Sequence, residues 1–383
     1  MRRATERSKG LLDHEASAWR PDARGPEDGP ASLLAGVRRA GGPGRVTPWR
    51  IERDFMIGRS DHEQLWDHDL SIIIVNYNTR EILRRCLRSI FQHDHRISLQ
   101  VVVVDNASRD NSPGMVRKEF PQVVLLENDR NLGFSAGNNR GLPHAQGEFI
   151  LLLNSDTVVL PGTLENMVTF ARRNPEAGIL GCKVVRPNGE LDWACRRGFP
   201  TPLVAMFKFL GFHRVFPRSR LVGRYNMTYL DPDQTYEVDS VVGAFMMIRR
   251  SVLDEVKGLD EGYFMYGEDL DLCFRAKQAD FRVYYVGQNQ IIHIKGASSR
   301  KESFRMNYHF HRAMILFHRK HFCRRYPPPI NAITYTAIGF RFTALVIQHY
   351  VKKVLQVGRT AMPRLSVPHA DDAPIAAGGD VVM

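Results

Sequence analysis

Four short runs, at 71–75, 99–104, 123–126 and 149–153, constrain this chain more than any other feature. Apart from Ser71 and Gln100 near their starts, every residue in them is apolar. An unbroken run of Ile, Val and Leu is the pattern of a strand buried on both faces, as in a parallel sheet covered by helices. Between the runs lies helical periodicity. Ile82, Leu83, Cys86, Leu87 and Ile90 fall on one face over 81–91, and a shorter helix is predicted over 111–119. The β-α-β-α-β-loop-α-β order predicts an α/β fold with a mainly parallel sheet and right-handed crossovers.

The polar residues that close these runs carry the candidate chemistry. Asn76, Asp105 and Asp156 follow three of them and would gather at the carboxyl edge of the sheet, where open α/β sheets bind ligands. Asp156 ends the triplet Asn154-Ser155-Asp156. A carboxylate there suits a hard divalent cation held against a nucleotide diphosphate, because such a cation needs only one or two carboxylates. The plain alternative is an Asx-turn in which Asp156 bonds its own backbone. Asp105 can accept from the imide N–H of uracil or thymine, and Tyr77 can offer a ring face or a backbone contact to the base; strand-end turns are the alternative for both. Gly133, Gly137 and Gly141 are spaced by four and spell neither a dinucleotide fingerprint nor a phosphate loop. NAD enzymes and P-loop kinases are therefore poor readings.

Further along, a helix is predicted over 161–173, a strand over 177–185, and a hairpin turn at Asn188-Gly189. Arg196 and Arg197 either line the mouth of a site, where arginines meet phosphate, or sit in a solvated basic loop. Residues 200–236 read as an irregular lid or acceptor region. Residues 238–248 read as one long strand whose Gly243-Ala244 permits close approach of a sugar or of another strand. In 258–275, a wall of Tyr263, Phe264 and Tyr266 precedes Glu268, Asp269 and Asp271 at the start of a helix. The macrodipole favours acids there. The aromatic wall adds desolvation, which raises a carboxyl towards useful base strength. Two more strands are predicted over 282–286 and 290–294. They end near His293, which is either a packed core residue or a metal ligand.

Taken together, the ordered pieces Val75-Asn76-Tyr77-Asn78, Val103-Val104-Asp105-Asn106-Ala107-Ser108, Asn131-Leu132-Gly133-Phe134, Asn139-Arg140-Gly141 and Asn154-Ser155-Asp156 resemble the family 2 glycosyltransferases of the GT-A fold. Within that family the chain is most similar to bacterial rhamnosyltransferases, over roughly residues 70 to 320. The resemblance implies a mainly parallel nucleotide-binding sheet flanked by helices, with a C-terminal helical extension. It implies that Asn76, Tyr77, Asn78, Asp105, Ser108, Asn131, Gly133, Asn139, Asn154 and Ser155 meet the donor nucleotide. Asp156 corresponds to the last aspartate of the family's Asp-x-Asp motif, whose first position is Asn154 here, leaving one carboxylate fewer. Asp156 and His293 are the implied metal residues, the metal being Mg²⁺ or Mn²⁺. Glu268 and Asp269 are the implied acceptor-site carboxylates, with Asp269 the general base and Asp271 the runner-up on the same helix.

The 383 residues allow one large or two ordinary domains. The expected division is a disordered extension over 1–68, the transferase domain over 69–322, and an amphipathic helix with a disordered tail over 323–383. A net charge of +12 invites an anionic partner, but the basic residues do not gather in one aromatic-laced patch, so no nucleic acid is expected. Five dispersed cysteines argue for a reducing compartment. No secretory signal is visible, and no uncharged apolar run is long enough for an ordinary spanning helix. Residues 330–357 are apolar but broken by Arg341, His349, Lys352 and Lys353; they read as a helix lying on a membrane surface or docking on the core. The expected function is inverting transfer of a sugar, with L-rhamnose from dTDP-rhamnose first and UDP-sugars next, to a glycan or lipid-linked acceptor. The expected place is the cytoplasm, peripheral at the inner face of a bacterial plasma membrane. The alternative is an inactive membrane-associated scaffold that keeps the fold.

Overall fold

The computed structural model describes residues 66–294 and 303–361, together with the two-residue strand Arg38–Arg39. Of the extension expected to be disordered over 1–68, residues 1–37 and 40–65 lie outside the described residues, as does the tail beyond 361. The heart of the fold is a sheet whose first half is parallel: β1 (His68–Asn76), β2 (Leu99–Asp105), β3 (Val124–Glu127) and β4 (Gly147–Asn154), in the spatial order β3-β2-β1-β4. Ile72, Ile73, Ile74, Val102, Val103 and Leu151 have no more than trace exposure, as runs apolar on both faces require. Helices α1 (Arg80–Phe91), α2 (Ser112–Glu119) and α3 (Gly133–Gly141) make the connections.

Strands apolar on both faces do not specify their own register by pattern, because a slip buries the same kind of residue. Polar pairs at the two ends of β1 and β2 do so instead. Ser71 lies opposite Gln100 and donates its hydroxyl to Gln100 Oε1 at 2.6 Å; Asn76 lies opposite Asp105 and donates Nδ2 to Oδ1 at 2.9 Å. On the other side Val75 lies opposite Asn154. The three polar strand ends are thus level on one edge.

The second half of the sheet is mixed. Strand β5 (Thr157–Val159) and helix α4 (Thr163–Arg173) lead to β6 (Ala177–Val185). The expected hairpin turn follows it, with Gly189 N–H donating to Arg186 O and Arg186 N–H to Glu190 O. Three stretches differ from expectation. Residues 238–248 form two strands, not one. The dipeptide β9 (Ser240–Val241) pairs with β7 (Arg196–Arg197) in a small separate sheet, and β10 (Phe245–Arg249) runs antiparallel between β4 and β6. Conversely, 282–286 and 290–294 belong to one twelve-residue strand, β11 (Arg282–His293), with a register shift between Val286 and Gln290. The supposedly irregular 200–236 contains helices α5 (Pro202–Phe209) and α6 (Phe212–Val215) and strand β8 (Thr235–Glu237).

After α7 (Arg250–Val256), helix α8 (Glu268–Gln278) carries the acid pair. It packs on a second small core of Tyr263, Leu270, Phe274, Ala313, Phe317 and Phe322. That core recruits α9 (Ser303–Phe317) and a π-helical turn (His318–Phe322). Helix α10 (Pro328–Ala361) then runs for 34 residues, starting at the prolines that stop the preceding helix. All five cysteines are free, and four of them are buried as small apolar fillers.

Helix α3 fits because its glycines leave room: a Cβ on Gly137 or Gly141 would press on Val75 or Ile73. Gly133 is tighter. Its φ is +85°, and a Cβ there would stand 2.3 Å from the carbonyl oxygen of Phe264. Gly133→Ala should therefore cost more than about 2 kcal/mol, summing left-handed strain and displacement of the 258–267 loop. Urea denaturation checks this; a variant as stable as the wild type would contradict the packing described.

Candidate active site

The level strand ends are knitted into a rigid edge. Asn76 Nδ2 donates also to Ser108 Oγ at 3.1 Å, and Thr79 Oγ1 donates to Asn76 Oδ1 at 2.6 Å. Ser108 N–H donates to Asp105 Oδ2 at 2.7 Å, and Asn78 N–H donates to Ser108 Oγ at 2.9 Å. Asn78 and Ala107 both have φ near +60°, a conformation costing about 1–3 kcal/mol that persists only where surroundings impose it. The crosslinks between the two loops are that imposition. Asp105 is buried with a bond on each oxygen, and each carboxylate oxygen keeps a second lone pair. Tyr77 is exposed beside it. Ser155 Oγ sits 3.3 Å from Thr79 Oγ1, so the Asn154-Ser155-Asp156 triplet joins the same edge.

Asn131 supports this edge from behind, its Oδ1 accepting from Gly133 N–H at 2.9 Å. The sequence reading passed over Asn106, which is fully buried. It donates to Gly133 O at 3.0 Å and accepts from Asn128 Nδ2 at 2.8 Å, fastening the Gly133 loop to the end of β2. Its only signal was a position between two residues already singled out. Asn139 is not brought to the edge. Its amide bonds the backbone of Leu259 in both directions, at 2.8 and 2.9 Å, and so holds the loop that leads to the acid pair.

Asp156 is positioned by a reversal. Strand β5 turns back antiparallel on the end of β11, setting Thr157 opposite His293, and Ile294 N–H donates to Asp156 O at 2.8 Å. Asp156 Oδ1 and His293 Nε2 are 3.0 Å apart, both buried, with Asn154 Nδ2 3.5 Å from the same nitrogen. His293 Nδ1 faces Asp192 Oδ2 at 4.0 Å, a carboxylate on the imidazole's far side. Two adjacent ligands of an octahedral cation with bonds of about 2.1 Å are about 3.0 Å apart, so the pair fits two neighbouring positions on Mg²⁺ or Mn²⁺. Among the described residues no group of three or more His, Cys, Asp or Glu converges to hold a metal. A cation here would therefore need donor oxygens and water for its other positions.

The acid pair opens α8, after Gly267 with φ +84°. Asp269 Oδ2 accepts from Arg197 Nη2 at 2.7 Å and from Gly243 N–H at 3.1 Å; its Oδ1 accepts from Leu270 N–H at 2.7 Å. Both earlier readings of the Arg pair are overturned. Arg196 is fully buried, lying over the rings of Tyr285 and Trp193 and bonding Leu230 O, and Arg197 is spent on Asp269 and Val241 O. No local signal joins Arg197 to an acid 72 residues on; the pairing of β7 with β9 does it. Glu268 is buried, and its Oε2 has no hydrogen-bond partner among the described residues. Burial and the adjacent Asp269 charge push its carboxyl up to about 8. Asp271, the runner-up, is a structural anchor. Burial alone would raise it, but His321, Lys320 and Arg275 outweigh that and take it down to about 2.

The two carboxyl-bearing loops meet through the break in the 238–248 segment. Asn154 N–H donates to Ala244 O at 3.1 Å, while the neighbouring Gly243 N–H holds Asp269. The strand-end edge with Asp156 and the helix start with Asp269 are therefore separated by one dipeptide of small residues. A carboxylate and imidazole on one side of this dipeptide and a buried acid pair on the other suit group transfer from a phosphorylated donor to a hydroxyl.

Comparison with known proteins agrees. Residues 71–257 match the family model described as Glycosyl transferase family 2. An N-acetylglucosaminyl-diphospho-decaprenol L-rhamnosyltransferase of Mycobacterium tuberculosis is 29% identical over 248 residues, covering 61% of this chain and 78% of that one. The rhamnosyltransferase WbbL of Escherichia coli K12 is 26% identical over 234 residues, covering 58% and 82%. Among solved structures, the mannosyltransferase PcManGT of Pyrobaculum calidifontis, in complex with GDP-Man and Mn²⁺, overlaps 79% of this chain and 80% of its own at TM-score 0.46 and 19% identity. The fold and site are those of a nucleotide-sugar-dependent glycosyltransferase. Residues 71–257 are a family 2 glycosyltransferase domain, and the chain is similar in sequence to rhamnosyltransferases.

The two shifted acids give opposite pH signatures. Glu268 holds its proton more tightly folded than unfolded, so it lowers stability as pH rises from its ordinary 4.5 towards about 8. Glu268→Gln should remove that loss: the variant gains on the wild type across this interval in thermal melts. Asp271 contributes stability above its ordinary 3.8 that is lost as pH falls towards about 2. Asp271→Asn should thus be strongly destabilised at pH 7 and progressively less so in acid. Parallel melting curves for either variant and the wild type would refute the corresponding assignment.

Proposed function

We propose that this enzyme is an inverting transferase that moves L-rhamnose from dTDP-rhamnose to a lipid-linked or polysaccharide acceptor. The observation that carries the reading is the junction at Gly243-Ala244, which holds the Asp269 carboxylate on one side and the Asn154-Ser155-Asp156 triplet on the other. The rhamnosyltransferase relatives support the sugar, and the decaprenol-linked substrate in the name of one of them supports the acceptor class. Asp105 and Asn76 stand where the base would lie, with Tyr77 beside them.

In the transfer the acceptor hydroxyl attacks the anomeric carbon from the face opposite the diphosphate. The new C–O bond forms as the C–O bond to phosphate breaks, and the leaving diphosphate takes that electron pair. The hydroxyl proton passes to Asp269. Its Oδ1, which accepts only the Leu270 N–H among the described residues, has the free lone pair. Arg197 and Gly243 N–H, both on Oδ2, fix the carboxylate plane. Glu268, whose carboxyl burial and the neighbouring Asp269 push up, can in its protonated form donate to an acceptor oxygen. A divalent metal held by Asp156 and His293 would supply positive charge to the departing diphosphate. The apolar helix over 330–357 supports a peripheral position at the cytoplasmic face of the membrane.

Asp269→Asn should reduce turnover by about 10²–10⁴-fold, the usual contribution of a positioned base, with donor affinity nearly unchanged in calorimetry. Asp156→Ala should instead abolish metal-dependent donor binding. A thermal-shift screen of dTDP-, UDP- and GDP-sugars with Mg²⁺ or Mn²⁺ tests the donor, and dTDP-rhamnose should stabilise most. Full turnover by Asp269→Asn, or no response to any donor, would sink the reading; the latter would favour the inactive scaffold.

A further inference from the structure

The positive charge of this chain is not dispersed, contrary to what its overall composition suggests. Residues 202–230 hold five Lys and Arg, residues 303–361 hold ten, and neither segment has an Asp or Glu. These fifteen charges exceed the net +12 of the whole chain, so everything else together is slightly acidic. The same two segments carry most of the exposed large apolar side chains. On α10, Ile333, Ala337, Phe340, Ala344, Ile347 and Val351 follow one another at helical steps on one stripe, and all are exposed. Phe340 is 70% exposed and Ile333 65%. On α5, α6 and the turn after them, Leu203, Met206, Phe209, Leu210, Val215 and Phe216 are exposed, Val215 by 69%.

The segments meet through Phe199, just before α5, whose ring lies 6.3 Å from that of Phe317 in α9. The Lys208 ammonium of α5 is pushed below its ordinary range by burial and by the guanidiniums of Arg214 and Arg341. Three cations from α5, α6 and α10 thus stand close together with no acid in either segment, a setting that an anion would relieve. The opposite face of α10 is occupied: Phe342 packs on Phe304, Tyr308 and His311 of α9, and Arg341 covers the ring of Phe310 at 5.4 Å.

We propose that 202–224 and α10 form one composite docking face for an anionic phospholipid bilayer, lying along its surface with the acceptor end of the cleft turned towards the lipid. This deepens the peripheral reading above and rests on it. An exposed apolar stripe flanked by cations suits the headgroup boundary, where apolar residues enter the acyl region and cations meet phosphate. Nucleic acid would use the charge but leave the stripe exposed. Pro328–Val351 is long and apolar enough to cross a membrane, with mean hydropathy 1.4, which the sequence reading did not expect. A crossing would set Arg341 near mid-bilayer and drag the packed α9 in with it, so the helix lies flat. The site is near: Phe310, under Arg341, meets the ring of Tyr266 at 5.8 Å, and Tyr266 stands two residues before Glu268. A lipid-linked acceptor diffusing in the bilayer would thus meet the acid pair at the membrane surface.

The test uses the full chain and two exposed double variants, Phe340→Glu/Ile347→Glu on α10 and Val215→Glu/Phe216→Glu on the other segment. Co-sedimentation is measured with phosphatidylcholine vesicles and with mixed phosphatidylcholine–phosphatidylglycerol vesicles. The wild type should bind the mixed vesicles, be released by carbonate, and lose affinity with salt. Each double variant should bind at least about tenfold more weakly, since each removes two inserting side chains. Donor binding by calorimetry should be unchanged in both, which separates this idea from the transferase reading. If only the α10 variant loses binding, the composite face is wrong although the helix still docks. Carbonate resistance would overturn it in favour of a spanning helix, and binding to a DNA duplex with none to either vesicle would overturn it in favour of nucleic acid.

Discussion

The clasp between Asn76 and Asp105 is the interaction on which this structure turns. Two strands that are apolar on both faces could slide past one another at little cost. The polar pairs at their ends stop that, and in doing so set the level of the ligand edge. The site is consequently a by-product of register. The bonds that align the strands also hold Asn78, Ser108 and Ala107 in place, and Asn78 and Ala107 in strained conformations, so the loops that would meet a nucleotide are organised before one arrives.

The second half of the molecule solves a different problem, that of bringing an acid from a distant helix to this edge. It does so with an antiparallel strand, Phe245–Arg249, inserted between two strands of the main sheet. The insertion leaves Gly243 and Ala244 as a hinge point between two sheets. One backbone group there faces Asn154, and its neighbour faces Asp269. Arg197 completes the arrangement from the small sheet. A buried guanidinium against a buried carboxylate is stabilised where neighbouring groups meet the remaining valences, and here Val241 O accepts from Arg197 and Gly243 N–H donates to Asp269, while Arg197 Nε has no partner among the described residues.

Much of this was legible in the residues. The parallel half followed from apolar runs without alternation, and the edge from what ended them. The helix carrying Glu268 and Asp269 was visible because aromatic residues precede acids at a helix start. What the sequence hid was long-range pairing. The 238–248 segment reads as one strand because its apolar pattern is continuous; only the competing demands of two sheets break it. Arg196 and Arg197 look like surface residues, and they are buried because Asp269, Leu230 O and the rings of Tyr285 and Trp193 receive them. Asn139 resembles a ligand-binding residue by motif, yet its amide is satisfied by the backbone of Leu259. The acid-free stretches were countable from the start, but their meaning depended on learning that they adjoin.

The burial of Asp271 bears on where this protein can be divided. The family match ends at residue 257, before the acid pair, before the long strand that delivers His293, and before Lys320 and His321. A fragment cut there would keep the strand-end edge and lose the acid pair. One cut anywhere before the π-helical turn would strip Lys320 and His321 from this carboxylate and leave it Arg275 and the Tyr263 hydroxyl. The smallest autonomous unit is therefore set by the charge balance around one aspartate, well beyond the limits of the recognisable sequence signature.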